Sequence, residues 1–251
     1  MSGRSHNSQS PTGPGGQFST THWSVVLAAG DPGSASAAES LEILCRTYWQ
    51  PLYVFVRGSG YSAEDAKDLT QDFFLHLLRS DSLAHASSSR GRFRSFLLGA
   101  MKHFMADARD RKNALKRGGG KIILSVDWRL SEQLFARETV NQESPDVLFE
   151  RRWALTLLQN AVAHLKEEYS ESDRQHLFEV LKKYVTSAAA ESSYSESAAE
   201  LGISESAVKS SIFRIRRRYR ELVRDEVAQT VAGPEELEDE ILHLMTVFSQ
   251  P

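Results

Sequence analysis

Between Lys209 and Arg220 the chain carries Lys209, Arg214, Arg216, Arg217, Arg218 and Arg220, with no Asp or Glu among them. Cations at that density either bind phosphate or lie solvated on a helix, where acids normally interleave as i,i+4 partners. The missing acids favour phosphate. Val208, Ile212, Ile215, Tyr219 and Leu222 recur at helical spacing and define one apolar stripe. At about 100° per residue, Ser206, Lys209, Ser210, Phe213, Arg214, Arg217 and Arg220 share the opposite face, while Arg216 and Arg218 flank the stripe. Upstream, Ala198, Gly202 and Val208 have the spacing of a helix-turn-helix: a small residue at the helix contact, a glycine for a left-handed turn, an aliphatic anchor. Ser204 is a fitting N-cap for the second helix. Such a helix can enter a major groove, with its early residues near base edges and its later arginines near phosphates.

A second basic stretch spans 90–121, with ten Lys and Arg against Asp107 and Asp110. Phe93, Leu97, Ala100, Phe104 and Ala108 form its apolar stripe, leaving Lys102, Arg109, Lys112 and Lys116 for a phosphate backbone. Phe93 and Phe96 offer rings on which unstacked bases can be held, and the cations would hold the separated strands. The preceding segment is opposite in character. Glu64, Asp65, Asp68 and Asp72 surround an apolar stripe, and that surface repels DNA and suits a protein partner with a basic face.

Other chemistry finds less support. His103 and Asp107 lie one turn apart without a third ligand and read as surface polar residues. Gly118-Gly119-Gly120-Lys121 lacks the Ser or Thr of a phosphate loop and reads as a helix stop. Cys45 has no evident base beside it and reads as a packed thiol. No catalytic constellation, cofactor site or metal site is evident, so the expectation is a non-enzyme.

The elements that must position these residues are helical throughout, and no stretch alternates convincingly as a strand. The expected fold is all-α: two small helical bundles joined by a linker, with an acidic C-terminal helix. The expected layout is a tail over 1–20, a first domain over 21–120, a linker over 121–144, a helix-turn-helix domain over 145–232 and an extension over 233–251. Helices are expected near 37–56, with Pro51 as a kink or new start, from Ser62 to about 78, over 93–115, over 147–169, and over 173–185. Ser144-Pro145 is the start signal of the fourth. In the extension, Leu237, Ile241, Leu244 or Met245, and Phe248 share one face. That helix either packs on the second bundle, clasps a basic helix, or docks a control protein.

Composition agrees with a globular chain: 41% apolar, 25% charged, net charge −3 over 251 residues. One cysteine forbids an internal disulfide and suits a reducing compartment. No apolar run approaches the roughly 20 residues of a membrane span, and the start of the chain lacks the apolar core of a signal peptide. The expected location is the cytoplasm, with no membrane partner.

The order of acidic helix, polar loop, basic aromatic helix, linker and helix-turn-helix resembles the extracytoplasmic-function (ECF) class of bacterial RNA polymerase sigma factors. The resemblance covers most of 41–223. Asp65-Ala66-x-Asp68-Leu69-x-Gln71-Asp72-x-Phe74-x-x-Leu77 is similar to the family's helix for the clamp of core RNA polymerase. Phe93-Arg94-x-Phe96-Leu97, with Lys102 and Asp107, is similar to its minus-10 segment. Gly202-Ile203-Ser204 and Val208-Lys209-Ser210 are similar to its minus-35 reading motif. Phe96 stands where the family often has tryptophan, His103 where it often has asparagine, and Ser211 where a basic residue is frequent. The 186–193 insertion and both termini lie outside the common core.

The resemblance implies that Asp65, Asp68, Leu69, Gln71 and Asp72 bind core polymerase. It places Arg92, Phe93, Arg94, Phe96, Lys102, His103, Arg109 and Lys112 at the minus-10 element, with the 79–92 loop holding a flipped base. It places Ser206, Lys209, Ser210, Phe213, Arg214 and Arg217 at minus-35. The implied partners are core RNA polymerase, promoter DNA and an anti-sigma or other control protein. The alternative is an autonomous helix-turn-helix regulator that is not part of the polymerase.

Overall fold

The computed structural model describes residues 37–79, 92–114, 132–133, 135–136, 143–186, 194–231 and 233–249. The expected tail, most of the 79–92 loop, the Gly118–Gly120 stop and all of the 186–193 insertion but Thr186 fall outside them. Every regular element among the described residues is helical: α1 (Ala37–Gly58), α2 (Ala63–Arg79), α3 (Phe93–Ala114), α4 (Pro145–Glu171), α5 (Gln175–Leu181), α6 (Lys183–Thr186), α7 (Tyr194–Leu201), α8 (Glu205–Ala228), a 3-10 turn over Pro234–Glu236, and α9 (Leu237–Ser249). The all-α expectation holds.

α1 is the central helix. Tyr48, Trp49, Leu52, Tyr53, Val54, Phe55 and Val56 are all buried, so its second half is apolar on every side except the half-buried Gln50 and Arg57. The helix runs through Pro51 without a break. Its C-terminal end approaches α4 so closely that a Cβ on Gly58 would lie 3.0 Å from Leu148 Cδ1.

Serines punctuate the chain where the sequence places them. Ser62 Oγ accepts from the Asp65 amide at 3.1 Å and opens α2. Ser144 accepts from the Val147 amide, and Pro145 takes the first position of α4.

At 27 residues, α4 is about 40 Å long, and it serves two cores. Leu148, Phe149, Trp153, Ala154 and Leu157 join α1, α2 and α3 in one apolar cluster, which continues into Val227, Val231, Leu237 and Leu244. Ala161, Leu165 and Tyr169 join Phe178, Leu181, Tyr184, Ala198, Val208, Ile212 and Ile215 in the other. The first core therefore crosses the 144/145 helix start and recruits α9. Between 121 and 144, Glu132 receives Arg57 Nη2 at 2.6 Å and Tyr53 Oη at 2.6 Å. The Arg57 guanidinium holds the Glu132 carboxyl below its ordinary range.

Candidate nucleic-acid interface

The helix-turn-helix forms from local sequence. Gly202 takes φ +65, the Ile203 amide closes back on Ala198 O at 3.1 Å, and Ser204 caps α8. Ala198 and Val208 are buried where α7 and α8 meet. This fixes the rotation of α8, with Val208, Ile212 and Ile215 inward. Ser206, Lys209, Ser210, Phe213, Arg214, Arg217 and Arg220 are exposed. Phe213 is 65% exposed, a large apolar ring among cations with no packing reason to face solvent.

Within this face, Lys209 Nζ lies 5.4 Å from the Tyr194 ring, and Arg214 Nη2 donates to Ser211 Oγ at 3.1 Å. Arg217 has a loose, exposed pair with Glu221 at 3.5 Å. Two other arginines of α8, Arg216 and Arg218, brace it against neighbouring elements. Arg216 Nε donates to the Tyr184 carbonyl at 2.8 Å, and Arg218 grips both oxygens of Glu168, which holds its guanidinium firmly charged. Ser210 Oγ is committed to the Ser206 carbonyl at 3.0 Å.

The acidic face of α2 is also presented outward. Asp65, Asp68 and Asp72 are exposed, while Leu69 and Gln71 are half-buried. Asp65, Asp68, Leu69 and Asp72 line a cavity of about 150 Å³ with Tyr61 and Arg109. Arg109 Nε donates to Tyr61 Oη at 2.9 Å. Arg109, expected at a phosphate, thus sits beside the acidic face.

The expected minus-10 residues separate. Lys102 and His103 are exposed on α3, and Lys102 pairs with Asp146. Phe96 is half-buried and stacks on Phe93 with centroids 6.0 Å apart. Lys112 falls within α3, but its side chain lies outside the described residues.

Phe93 is fully buried and Arg94 is 4% exposed. Arg94 Nε reaches Glu240 Oε1 at 2.8 Å, its Nη1 reaches Glu150 at 2.9 Å, and its guanidinium lies 4.8 Å from the Trp153 ring. Arg92 Nε takes Glu240 Oε2 at 2.7 Å. In this form of the protein, Phe93 and Arg94 have no surface to offer DNA.

Sequence reasoning missed Glu150, Trp153 and Glu240, which hold Arg94, and His243, which packs against Glu150 and Trp153. One signal was present: Glu240 falls between Leu237 and Leu244 on the apolar stripe of α9, where an acid requires a buried cation. An open groove of about 550 Å³ lies between α8 and α9, floored by Leu158, Val223, Leu244 and Phe248 and edged by Arg220 and Arg224.

Among the described residues, no group of three His, Cys, Asp or Glu is placed to hold a metal ion. No described helix is long and apolar enough to cross a membrane.

The model of the ECF sigma factor family matches residues 26–225, from before α1 to the last turn of α8, and leaves α9 outside. No curated protein and no solved structure matches the chain. Sigma factors are a non-enzymatic class that acts in transcription initiation with RNA polymerase and promoter DNA. With the family's span covering the acidic helix, the basic helix and the helix-turn-helix in order, the chain belongs to the ECF sigma factors.

Proposed function

We propose that this sigma factor binds core RNA polymerase through the Asp65, Asp68, Leu69, Gln71 and Asp72 face of α2, engages the minus-10 element through α3, and reads minus-35 through α8. The supporting observation is that one chain exposes two faces of opposite sign on separate helices: the carboxylates of α2 and the cations of α8 around Phe213. The acidic face repels DNA, so it needs a protein partner. The cationic face supplies phosphate contacts from Arg214, Arg217 and Arg220 and base-edge contacts from Ser206, Lys209 and Ser210. Two modest DNA contacts tethered to one large enzyme gain through effective concentration, so neither must be tight alone. A control protein of the anti-sigma kind would act by covering either face.

The test is co-elution with purified core polymerase. The wild-type chain should co-elute. The combined Asp65→Asn, Asp68→Asn, Asp72→Asn variant should not, while keeping its duplex DNA affinity. A variant that still co-elutes would remove the α2 assignment. A wild-type chain that never co-elutes, yet binds specific duplexes, would be an autonomous regulator.

A further inference from the structure

We infer that α9 is a built-in clasp whose Glu240 holds Arg92 and Arg94 away from promoter DNA until the sigma factor is engaged. The inference rests on the assignment of α3 to the minus-10 element.

Three observations converge. Glu240 is fully buried, and both of its carboxylate oxygens are taken by guanidinium groups about 150 positions earlier in the chain. Nothing on α9 itself balances that charge, so the helix can dock only where these two arginines receive it. Second, docking closes over the N-terminal end of α3. Glu150 takes the remaining arm of Arg94, and His243 Nε2 lies 3.0 Å from Glu150, which leaves Arg94 4% exposed. Third, the family match ends at 225, so α9 is an addition to the common core.

The competition is between anions of one type. A carboxylate of the same chain occupies the guanidinium pair that strand phosphates would otherwise meet. The clasp is anchored on α4 and α8 through Leu237 and Leu244 and touches α3 through Glu240. Losing the Glu240 charge therefore loosens the contact at α3 without removing a residue that touches DNA. Whatever binds the open form better than the closed one shifts the population toward it.

The test uses full-length Glu240→Gln, which keeps size and hydrogen-bonding capacity and removes the charge. The probe is a fluorescein-labelled single-stranded DNA pool of random sequence, read by anisotropy without polymerase. The expected result is about tenfold tighter binding than wild type, with the gain abolished in Arg94→Ala/Glu240→Gln. A Glu240 that merely supports the fold would give equal or weaker binding, and that result would overturn the clasp.

Should the Gln variant fail to fold, amide exchange of 237–249 in the wild-type chain decides. Exchange should accelerate when core polymerase and DNA are added, and unchanged protection contradicts the inference. If neither protein binds DNA and neither supports transcription by core polymerase, the sigma reading itself has failed, and the clasp with it.

Discussion

α3 and α8 are both basic helices with one apolar stripe, and they use their cations in opposite ways. In α8 the outer arginines remain outside, because the acids that could neutralise them are few and loosely placed. At the N-terminal end of α3, Arg94 is 4% exposed and is shared between two carboxylates and a tryptophan. Both helices are basic; the difference lies in the two acids that tertiary packing brings to Arg94, Glu150 on α4 and Glu240 on the apolar stripe of α9. A charge run states what a surface can bind, and the tertiary partners of each cation decide which part of it is free.

The largest loss is expected at Trp153, which is fully buried and supports both the first core and Arg94. Trp153→Ala should cost about 3–5 kcal/mol, read by denaturant unfolding. Arg94→Ala comes next. It leaves the buried Glu240 with Arg92 alone, so a loss of about 3 kcal/mol is expected. The matching change on the other helix, Arg214→Ala, should leave stability within about 0.5 kcal/mol of wild type. Its effect appears instead in duplex DNA binding, weaker by about tenfold, with the slope of log affinity against log salt reduced by about one. Equal stability losses for the two arginines would erase the distinction drawn here.

Smaller effects refine it. Gly202→Ala keeps φ near +65 with no atom within 4 Å of the added Cβ, so only backbone strain of about 1 kcal/mol is expected. That loss should appear in the melting of the helix-turn-helix.

The smallest effect concerns two glutamates shifted in opposite senses. Glu132 is held low by hydrogen bonds from Arg57, so its contribution is present above the ordinary carboxylate value and is lost as pH falls through its depressed value. Glu226 is raised by burial, against the hydrogen bond from Asn160. Its contribution is present at low pH and is lost as pH rises through the raised value. Glu226→Gln should therefore melt on the order of 2 °C higher than wild type near pH 7, with the gap closing toward pH 4.

The parts of the molecule legible in sequence are those set by near neighbours. Ala198, Gly202 and Val208, and the serines at 62, 144 and 204, act within a few residues, and each does in the structure what its type and spacing predict. The division of the α8 arginines into outward and bracing groups also follows from helical period alone. The helix expected near 37–56 is present, but its burial on nearly every side depends on which helices surround it. Pro51 is expected as a kink or a new start, and α1 runs on through it as one helix.

The two-core role of α4 is equally hidden, since its apolar residues look continuous whichever neighbour they meet. The pairing of Arg94 with Glu240 was the least legible feature. Its partners are 146 positions apart, and only the misplaced acid on the stripe of α9 hinted that a cation must come to it.

Runoff transcription with purified core polymerase on genomic promoter fragments reads the initiation role of the chain itself. Addition of the wild-type chain should yield discrete transcripts that core polymerase alone does not make. Those transcripts should disappear with the Asp65→Asn, Asp68→Asn, Asp72→Asn variant. No chain-dependent transcript from any fragment, with no co-elution with core, would contradict the account.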